Sequence, residues 1–180
     1  MSVDPIFALA LRWLLALLFA AAAVHKLSDL TAFRIVLHDY EVLPDALVTP
    51  ATALVIATEL LLAATLPWIA LTSLASLVTL SLLATYSLAI AINLLRGRRY
   101  LECGYAPSAY RQPLSEWLLV RNFGLMLAAM ALRLPIEERS LEWLDGFTLA
   151  GLVVAGVAAW VAAQQLLASL ESLTPLRGPA

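Results

Sequence analysis

Five long apolar runs constrain the fold of this chain more than any other feature of its sequence. They cover residues 6–24, 50–70, 71–95, 114–134 and 147–167. Each approaches the roughly 20 residues that a helix needs to cross the hydrocarbon core of a bilayer. Hydrophobic residues make up 62% of the chain and charged residues only 13%, whereas a soluble domain has about 25% charged residues. The sequence therefore predicts an all-α integral membrane protein.

The order of these runs predicts the architecture. We expect a four-helix transmembrane bundle in residues 1–135, and a fifth, C-terminal transmembrane helix with its tail in residues 136–180. The second and third runs are joined by almost no loop, so we expect them to form a tight antiparallel hairpin. Between the first and second runs, Leu30, Phe33, Leu37 and Tyr40 recur at helical spacing with charges on the other side. This pattern predicts a short amphipathic helix at the membrane interface; a loop helix facing water is the alternative.

The two sides of the predicted membrane differ in their number of cations. We call side X the side that holds the amphipathic segment, the loop around Cys103 and the C-terminal tail, and side Y the opposite side. Side Y holds Arg133 and Arg139. Side X holds Lys26, Arg34, Arg96, Arg98, Arg99, Arg111 and Arg177. The positive-inside rule thus favours a cytoplasmic side X.

Glu59 and Arg121 carry opposite charges inside predicted spans, where a single charge costs at least about 2.5 kcal/mol. A third charge, Arg12, lies inside the first span and can snorkel to side Y. The spans of Glu59 and Arg121 enter from side X, and at 1.5 Å per residue Glu59 lies about 13 Å deep and Arg121 about 10 Å deep. We therefore predict an intramembrane ion pair of Glu59 and Arg121, with Tyr86, Asn93 and Asn122 as nearby hydrogen-bonding groups. Two interpretations remain open: an ion pair that fixes helix register, and a site that faces a proton or a quinone.

Cys103 is the only cysteine and lies in a loop rich in arginine. The thiolate is the reactive form and would be stabilised by four nearby arginines, Arg96, Arg98, Arg99 and Arg111, whereas Glu102 opposes this effect. Cys103 is accordingly a candidate redox or mixed-disulfide thiol, with an inert residue as the alternative. One cysteine excludes an internal disulfide and a multi-thiolate metal site, so no metal is expected. No basic patch with interleaved aromatic residues indicates a nucleic-acid partner.

Several short segments, taken in order, resemble one known family. The segments are 26–29, the Tyr40-x-x-Leu43-Pro44 stretch, Glu59 within the second run, 93–97, Cys103-Gly104 and 114–122. Their order and spacing are similar to those of the MauE family of methylamine utilisation proteins, which share a helical layout with DoxX-like membrane proteins. The resemblance implies a bacterial inner-membrane accessory protein for maturation, export and disulfide formation of the methylamine dehydrogenase small subunit. It also implies the thioredoxin-like protein MauD as a companion.

The cysteine loop departs from the family pattern. Many relatives carry Cys-Gly-Cys, whereas this chain reads Cys103-Gly104-Tyr105. A self-contained dithiol cycle needs one thiol to attack and a second to resolve, so the departure argues against an enzyme and no cofactor is expected. The alternatives are a quinone-linked membrane thiol oxidoreductase and a DoxX-like structural subunit of another membrane complex. A role in periplasmic disulfide formation places side X in the periplasm, against the cation count, and we expect the periplasmic placement.

Overall fold

Helices account for most of the chain that the structure describes. The computed structural model describes residues 3–98, 101, 114–137 and 139–173, with the side chains of 167–173 left out. A short 3-10 helix, Ile69–Leu71, leads into the fourth α-helix. The α-helices are α1 Pro5–Ser28, α2 Leu30–Asp39, α3 Asp45–Thr65, α4 Thr72–Leu95, α5 Glu116–Ala131 and α6 Trp143–Leu173. The all-α prediction is confirmed for this part of the chain.

Four helical segments of the described chain are long and apolar enough to cross a membrane. They are Pro5–Ser28, Asp45–Thr65, Ile69–Leu95 and Trp143–Leu166, which supports a multi-pass membrane protein. The helix in the fourth predicted run, α5, has 16 residues and is about 24 Å long at 1.5 Å per residue. This is shorter than the hydrocarbon core of about 30 Å. A fifth crossing therefore remains a prediction, and so does the interfacial position of α2.

Two aspartates set the helix boundaries near the start of the chain. Asp4 caps α1, since its carboxylate accepts a hydrogen bond of 2.8 Å from the backbone N–H of Ile6, and Pro5 occupies the first helical position, where no N–H is needed. Asp29 then separates α1 from α2. Its backbone leaves the helical region, and its carboxylate accepts a 2.9 Å bond from the N–H of Ala32 in the first turn of α2. The chain thus continues as a second helix after a break of one residue.

Proline determines where α3 begins and ends. The helix begins at Asp45, five residues before the start of the predicted run, directly after Pro44. Pro50 lies inside its early turns, and the helix ends at Thr65, just before Pro67. Although α3 and α4 follow one another in the chain, α3 packs mainly on α1 and α4 mainly on α5. The predicted α3–α4 hairpin is therefore a less extensive contact than either of these two pairs.

The apolar core has two parts. The larger cluster joins α1, α3 and α4 with the end of α5, and consists of Leu15, Ala16, Phe19, Leu62, Leu66, Ala75, Leu82, Leu83 and Leu132. The smaller cluster lies toward side X and consists of Tyr40, Ile90, Leu101, Leu114 and Leu118. Tyr86 packs against the first cluster, one helical turn from Ile90 in the second. Lys26 and Glu59, two of the buried charged groups, contact Tyr86 in this region, whereas the buried Arg12 lies in the first half of α1.

Candidate functional site

A buried carboxylate, Glu59, is the centre of the candidate site. It lies in α3, and its side chain is 1% exposed. The ammonium group of Lys26, in α1, lies 2.6 Å from Oε1 and 2.9 Å from Oε2 of Glu59. The hydroxyl of Tyr86, in α4, donates to Oε1 at 2.7 Å. One carboxylate therefore accepts three hydrogen bonds from side chains of two other helices.

The surroundings of Lys26 explain how an ammonium group is kept in an apolar bundle. Its side chain is only 5% exposed, and the charge of Glu59 compensates its own. The Nζ atom also lies 5.3 Å from the ring centroid of Phe33 and 5.7 Å from that of Tyr86. Aromatic faces attract cations through the quadrupole of the ring. We call these three residues, Lys26, Glu59 and Tyr86, the polar cluster. Its ion pair is buried and neutral overall.

The predicted pairing of Glu59 with Arg121 is wrong. The described donors to Glu59 are Lys26 and Tyr86, whereas the guanidinium carbon of Arg121 lies 5.9 Å from the ring centroid of Trp160 in α6. Arg121 and Glu59 do line the same small cavity of about 20 Å³. The two residues are thus neighbours at similar depth, as the residue count predicts, without forming an ion pair.

The level at which α1 ends explains this error. Glu59 lies 14 residues after the start of α3, about 21 Å along the helix axis, whereas Lys26 lies only two residues before the end of α1. Because the two residues are in contact, α1 ends well inside the length of α3, and α2 packs beside the remaining turns of α3. The predicted first span ends at residue 24 and leaves Lys26 outside it, on side X. A usable signal was its spacing from Phe19 and Ala22, which extends the buried face of α1 by one more turn.

The remaining predicted site residues have different environments. Asn122 is buried, and its Nδ2 donates to the hydroxyl of Ser87 at 3.3 Å. Asn93 is fully buried but donates to the backbone carbonyl of Ala89, four residues earlier in its own helix, at 3.0 Å. Asn122 therefore lies near the polar cluster with Tyr86, whereas Asn93 makes a local helix contact. Arg99 and Cys103 lie outside the described residues.

Arg98 lies at the side X end of α4 and contacts the loop between α2 and α3. Its Nη2 is 2.6 Å from the Oε2 of Glu41, and the neighbouring Arg96 donates to the backbone carbonyl of Glu41 at 3.2 Å. Glu41 has a φ of 47°, in the left-handed region that a non-glycine residue seldom adopts. The hydrogen bond from Arg98 lowers the pKa of the Glu41 carboxyl below its ordinary value. The two arginines thus hold a strained turn at the entrance to the cysteine loop.

A cavity of about 90 Å³ lies beside the polar cluster and is partly open to the surroundings. The helices α1 to α5 all contribute to its wall. Its residues are Lys26, Phe33, Val36, Leu37, Tyr40, Val55, Tyr86, Ala89, Ile90, Arg121 and Asn122. The site therefore offers a mostly apolar space with a few charged and polar groups in its wall. In the described part of the chain, no three His, Cys, Asp or Glu residues are grouped so that they could hold a metal ion.

Comparison with known proteins agrees with the resemblance found in the sequence. The family model "Methylamine utilisation protein MauE" matches residues 4–135. The chain is 39% identical over 130 residues to methylamine utilization protein MauE of Paracoccus denitrificans, covering 72% of this chain and 69% of the relative. The Paracoccus versutus protein of the same name is 40% identical over 129 residues, covering 72% and 68%.

A third relative extends the match further along the chain. Methylamine utilization protein MauE of Methylorubrum extorquens is 35% identical over 156 residues, covering 84% of this chain and 83% of the relative. No solved structure matches the chain. The family match and the four candidate membrane spans agree on a membrane protein of methylamine utilisation. The chain belongs to the MauE family of methylamine utilisation proteins.

Proposed function

We propose that this protein is an inner-membrane accessory factor for the maturation of the methylamine dehydrogenase small subunit. Maturation here includes export of the subunit and formation of its disulfides. The observation that carries the proposal is the family match over residues 4–135, together with relatives named for methylamine utilisation. The thioredoxin-like protein MauD is the proposed partner, and the bilayer is the solvent for the bundle.

We place the working surface on side X. The Glu41 turn lies there with Arg96 and Arg98. The two arginines lead directly into the segment that contains Cys103. Arginine-rich surroundings favour the thiolate form of a cysteine. In this proposal side X faces the periplasm, where the small subunit acquires its disulfides.

With one sulfur, the proposed chemistry of Cys103 is exchange with another protein. The Cys103 thiolate attacks a disulfide of the partner, so that one partner sulfur becomes bonded to Cys103 and the other leaves as a thiolate. A thiolate of the small subunit then attacks the partner sulfur of this mixed disulfide and releases Cys103 as a thiolate. A second thiolate of the small subunit attacks the client sulfur of the resulting partner–client disulfide, which closes a disulfide within the small subunit and releases the partner with both of its sulfurs reduced. The oxidising equivalent passes from partner to client, and Cys103 itself is unchanged over the cycle.

Deletion of this protein in its host tests the proposal. We expect loss of growth on methylamine, together with a low level of small subunit that retains free thiols. Re-expression of the intact chain should restore both. Normal growth with a fully oxidised small subunit in the deletion strain would refute the accessory role.

A Cys103→Ser variant in the same strain tests the thiol separately. We expect it to accumulate in the membrane but to leave the small subunit incompletely oxidised. The matched control is Ser108→Ala, which changes one side-chain oxygen in the same loop and leaves the sulfur in place. If Cys103→Ser restores oxidation as well as the control does, the exchange step is absent while the accessory role remains.

A further inference from the structure

The cavity beside the polar cluster has the size of a small molecular group. A volume of about 90 Å³ is several times the roughly 10–15 Å³ that one water molecule requires, and somewhat below the engineered cavity of about 150 Å³ that binds benzene. The space is therefore large enough for at most one ring without bulky substituents. Because the cavity is partly open, the rest of a longer molecule can extend out of it.

The walls favour a flat apolar body. Phe33 and Val36 of α2 form one side, and Val55 of α3 with Ala89 and Ile90 of α4 form others. The aromatic rings of Tyr40 and Tyr86 also line the space, and aromatic rings pack well against another flat ring.

The charged groups in the wall determine the polarity of the ligand head. Lys26 and Arg121 line the cavity, and both side chains carry hydrogen-bond donors and no acceptor. The nearby acceptor, the Glu59 carboxylate, already receives three hydrogen bonds. A ligand group that complements these residues is therefore a hydrogen-bond acceptor.

A neutral acceptor fits this site better than an anion does. Lys26 and Glu59 neutralise one another at 2.6 Å. The guanidinium of Arg121 already contacts the Trp160 ring, and most of the wall is hydrocarbon. An anion entering the cavity would lose its hydration at high cost in such surroundings, whereas a carbonyl group loses much less.

We propose that this cavity binds the head of a membrane-dissolved amphiphile that carries a ring carbonyl, which is the chemistry of a quinone head group. The ring lies between the α2 and α4 walls, and its carbonyl oxygen accepts a hydrogen bond where Lys26 and Arg121 line the cavity. The open side of the cavity leaves room for an apolar tail. This site is independent of the proposed role in small-subunit maturation, because binding needs neither Cys103 nor a protein partner.

Calorimetric titration of the full-length protein in detergent micelles tests the proposal, with empty micelles as the blank. The probe is a 1,4-benzoquinone with one short alkyl chain, and an alkylbenzene of the same chain length is the reference ligand. We expect the quinone to bind at least about tenfold more tightly, the ratio expected for one hydrogen bond from a charged donor. Equal affinities, or tighter binding of a fatty-acid carboxylate than of the quinone, would overturn the assignment.

Variants locate the binding at this cavity. Ala89→Leu fills the space from α4, and Val36→Phe fills it independently from α2; we expect each to weaken quinone binding by about tenfold or more, because an overfilled site excludes the ring. Ala84→Leu is the matched control, since Ala84 is exposed on the same helix as Ala89. Equal quinone affinity in the control and in both filling variants would place the quinone elsewhere. Growth on methylamine is measured in parallel, so that failure of this proposal is distinguished from failure of the accessory role.

Discussion

Replacement of Lys26 by methionine is the perturbation that most directly tests the polar cluster. Methionine keeps the length and apolar stem of the side chain but removes the ammonium group. The Glu59 carboxylate then loses two of its three hydrogen bonds and keeps the one from Tyr86. The chain is left with a buried acid that has lost its compensating charge.

The three hydrogen bonds give the expected magnitudes. At about 1.5–3 kcal/mol for each hydrogen bond to a charged group, Lys26→Met should cost about 3–6 kcal/mol. This agrees with the range of about 3–5 kcal/mol for breaking a buried ion pair by removing one partner. Tyr86→Phe removes one hydrogen bond and should cost about 1.5–3 kcal/mol, roughly half as much.

The double variant separates the ion pair from simple loss of packing. Replacing both Lys26 by methionine and Glu59 by leucine removes both charges, and buried pairs replaced by apolar residues are often neutral or even stabilising. We therefore expect the double variant to be more stable than Lys26→Met alone. The assay is unfolding of the full-length protein in mixed micelles, titrated with a denaturing detergent and followed by loss of helical circular dichroism.

Arg121 provides the decisive control, because the residue count alone pairs it with Glu59. A double-mutant cycle between Glu59 and Lys26 should give a coupling of several kcal/mol, whereas the cycle between Glu59 and Arg121 should give much less. If the larger coupling were found with Arg121, the arrangement of the polar cluster described above would be incorrect.

Three further predictions concern other parts of the molecule. The hydrogen bond from Arg98 lowers the pKa of the Glu41 carboxyl, so this contact stabilises the folded protein at neutral pH and is lost as the pH falls through the folded-state pKa. In thermal unfolding at decreasing pH, Glu41→Gln should therefore lose less stability than the unsubstituted protein. A Cβ atom added at Gly156 would lie 2.7 Å from the end of the Leu14 side chain; Gly156→Leu should therefore destabilise the α1–α6 contact by about 1–3 kcal/mol, measured by thermal unfolding. Two nitrogens of the buried Arg12 have no hydrogen-bond acceptor within the described chain. Because its charge is not compensated there, Arg12→Met should leave the stability unchanged or raise it, unlike Lys26→Met. A loss of several kcal/mol would contradict this prediction.

The helices could be predicted from the sequence because crossing a bilayer requires a long continuous apolar segment. Four of the five predicted runs correspond to helical segments of sufficient length. The bounds were less predictable where proline was involved. Pro50 marked the predicted start of a run, yet α3 begins at Asp45 and includes Pro50 as its sixth residue. A proline there removes one backbone hydrogen bond, and the helix continues past it.

The site was predictable only in part. Counting residues from a common surface gave a correct neighbourhood for Glu59 and a correct hydrogen-bond partner in Tyr86. The same counting gave the wrong cation, because it assumed that all helices begin and end at the same level. The break at Asp29 ends α1 at a level well inside the length of α3. No periodicity in the second run indicates this difference in level. The cavity follows from the packing of five helices and has no counterpart in a single segment.

The polar cluster joins two halves of the bundle that otherwise have limited contact through α3 and α4. The helices α1 and α3 form one closely packed pair, and α4 and α5 form another. Glu59 belongs to the first pair together with Lys26, and its hydrogen bond from Tyr86 crosses to the second. The cavity lies along this seam, with residues of both pairs in its wall. A ligand bound there would contact both pairs at once, so its presence should favour one relative position of the two pairs through contacts that the free protein lacks. Since the Glu41 turn and Arg98 come from opposite pairs at the side X end, such a shift would also reach the start of the cysteine loop.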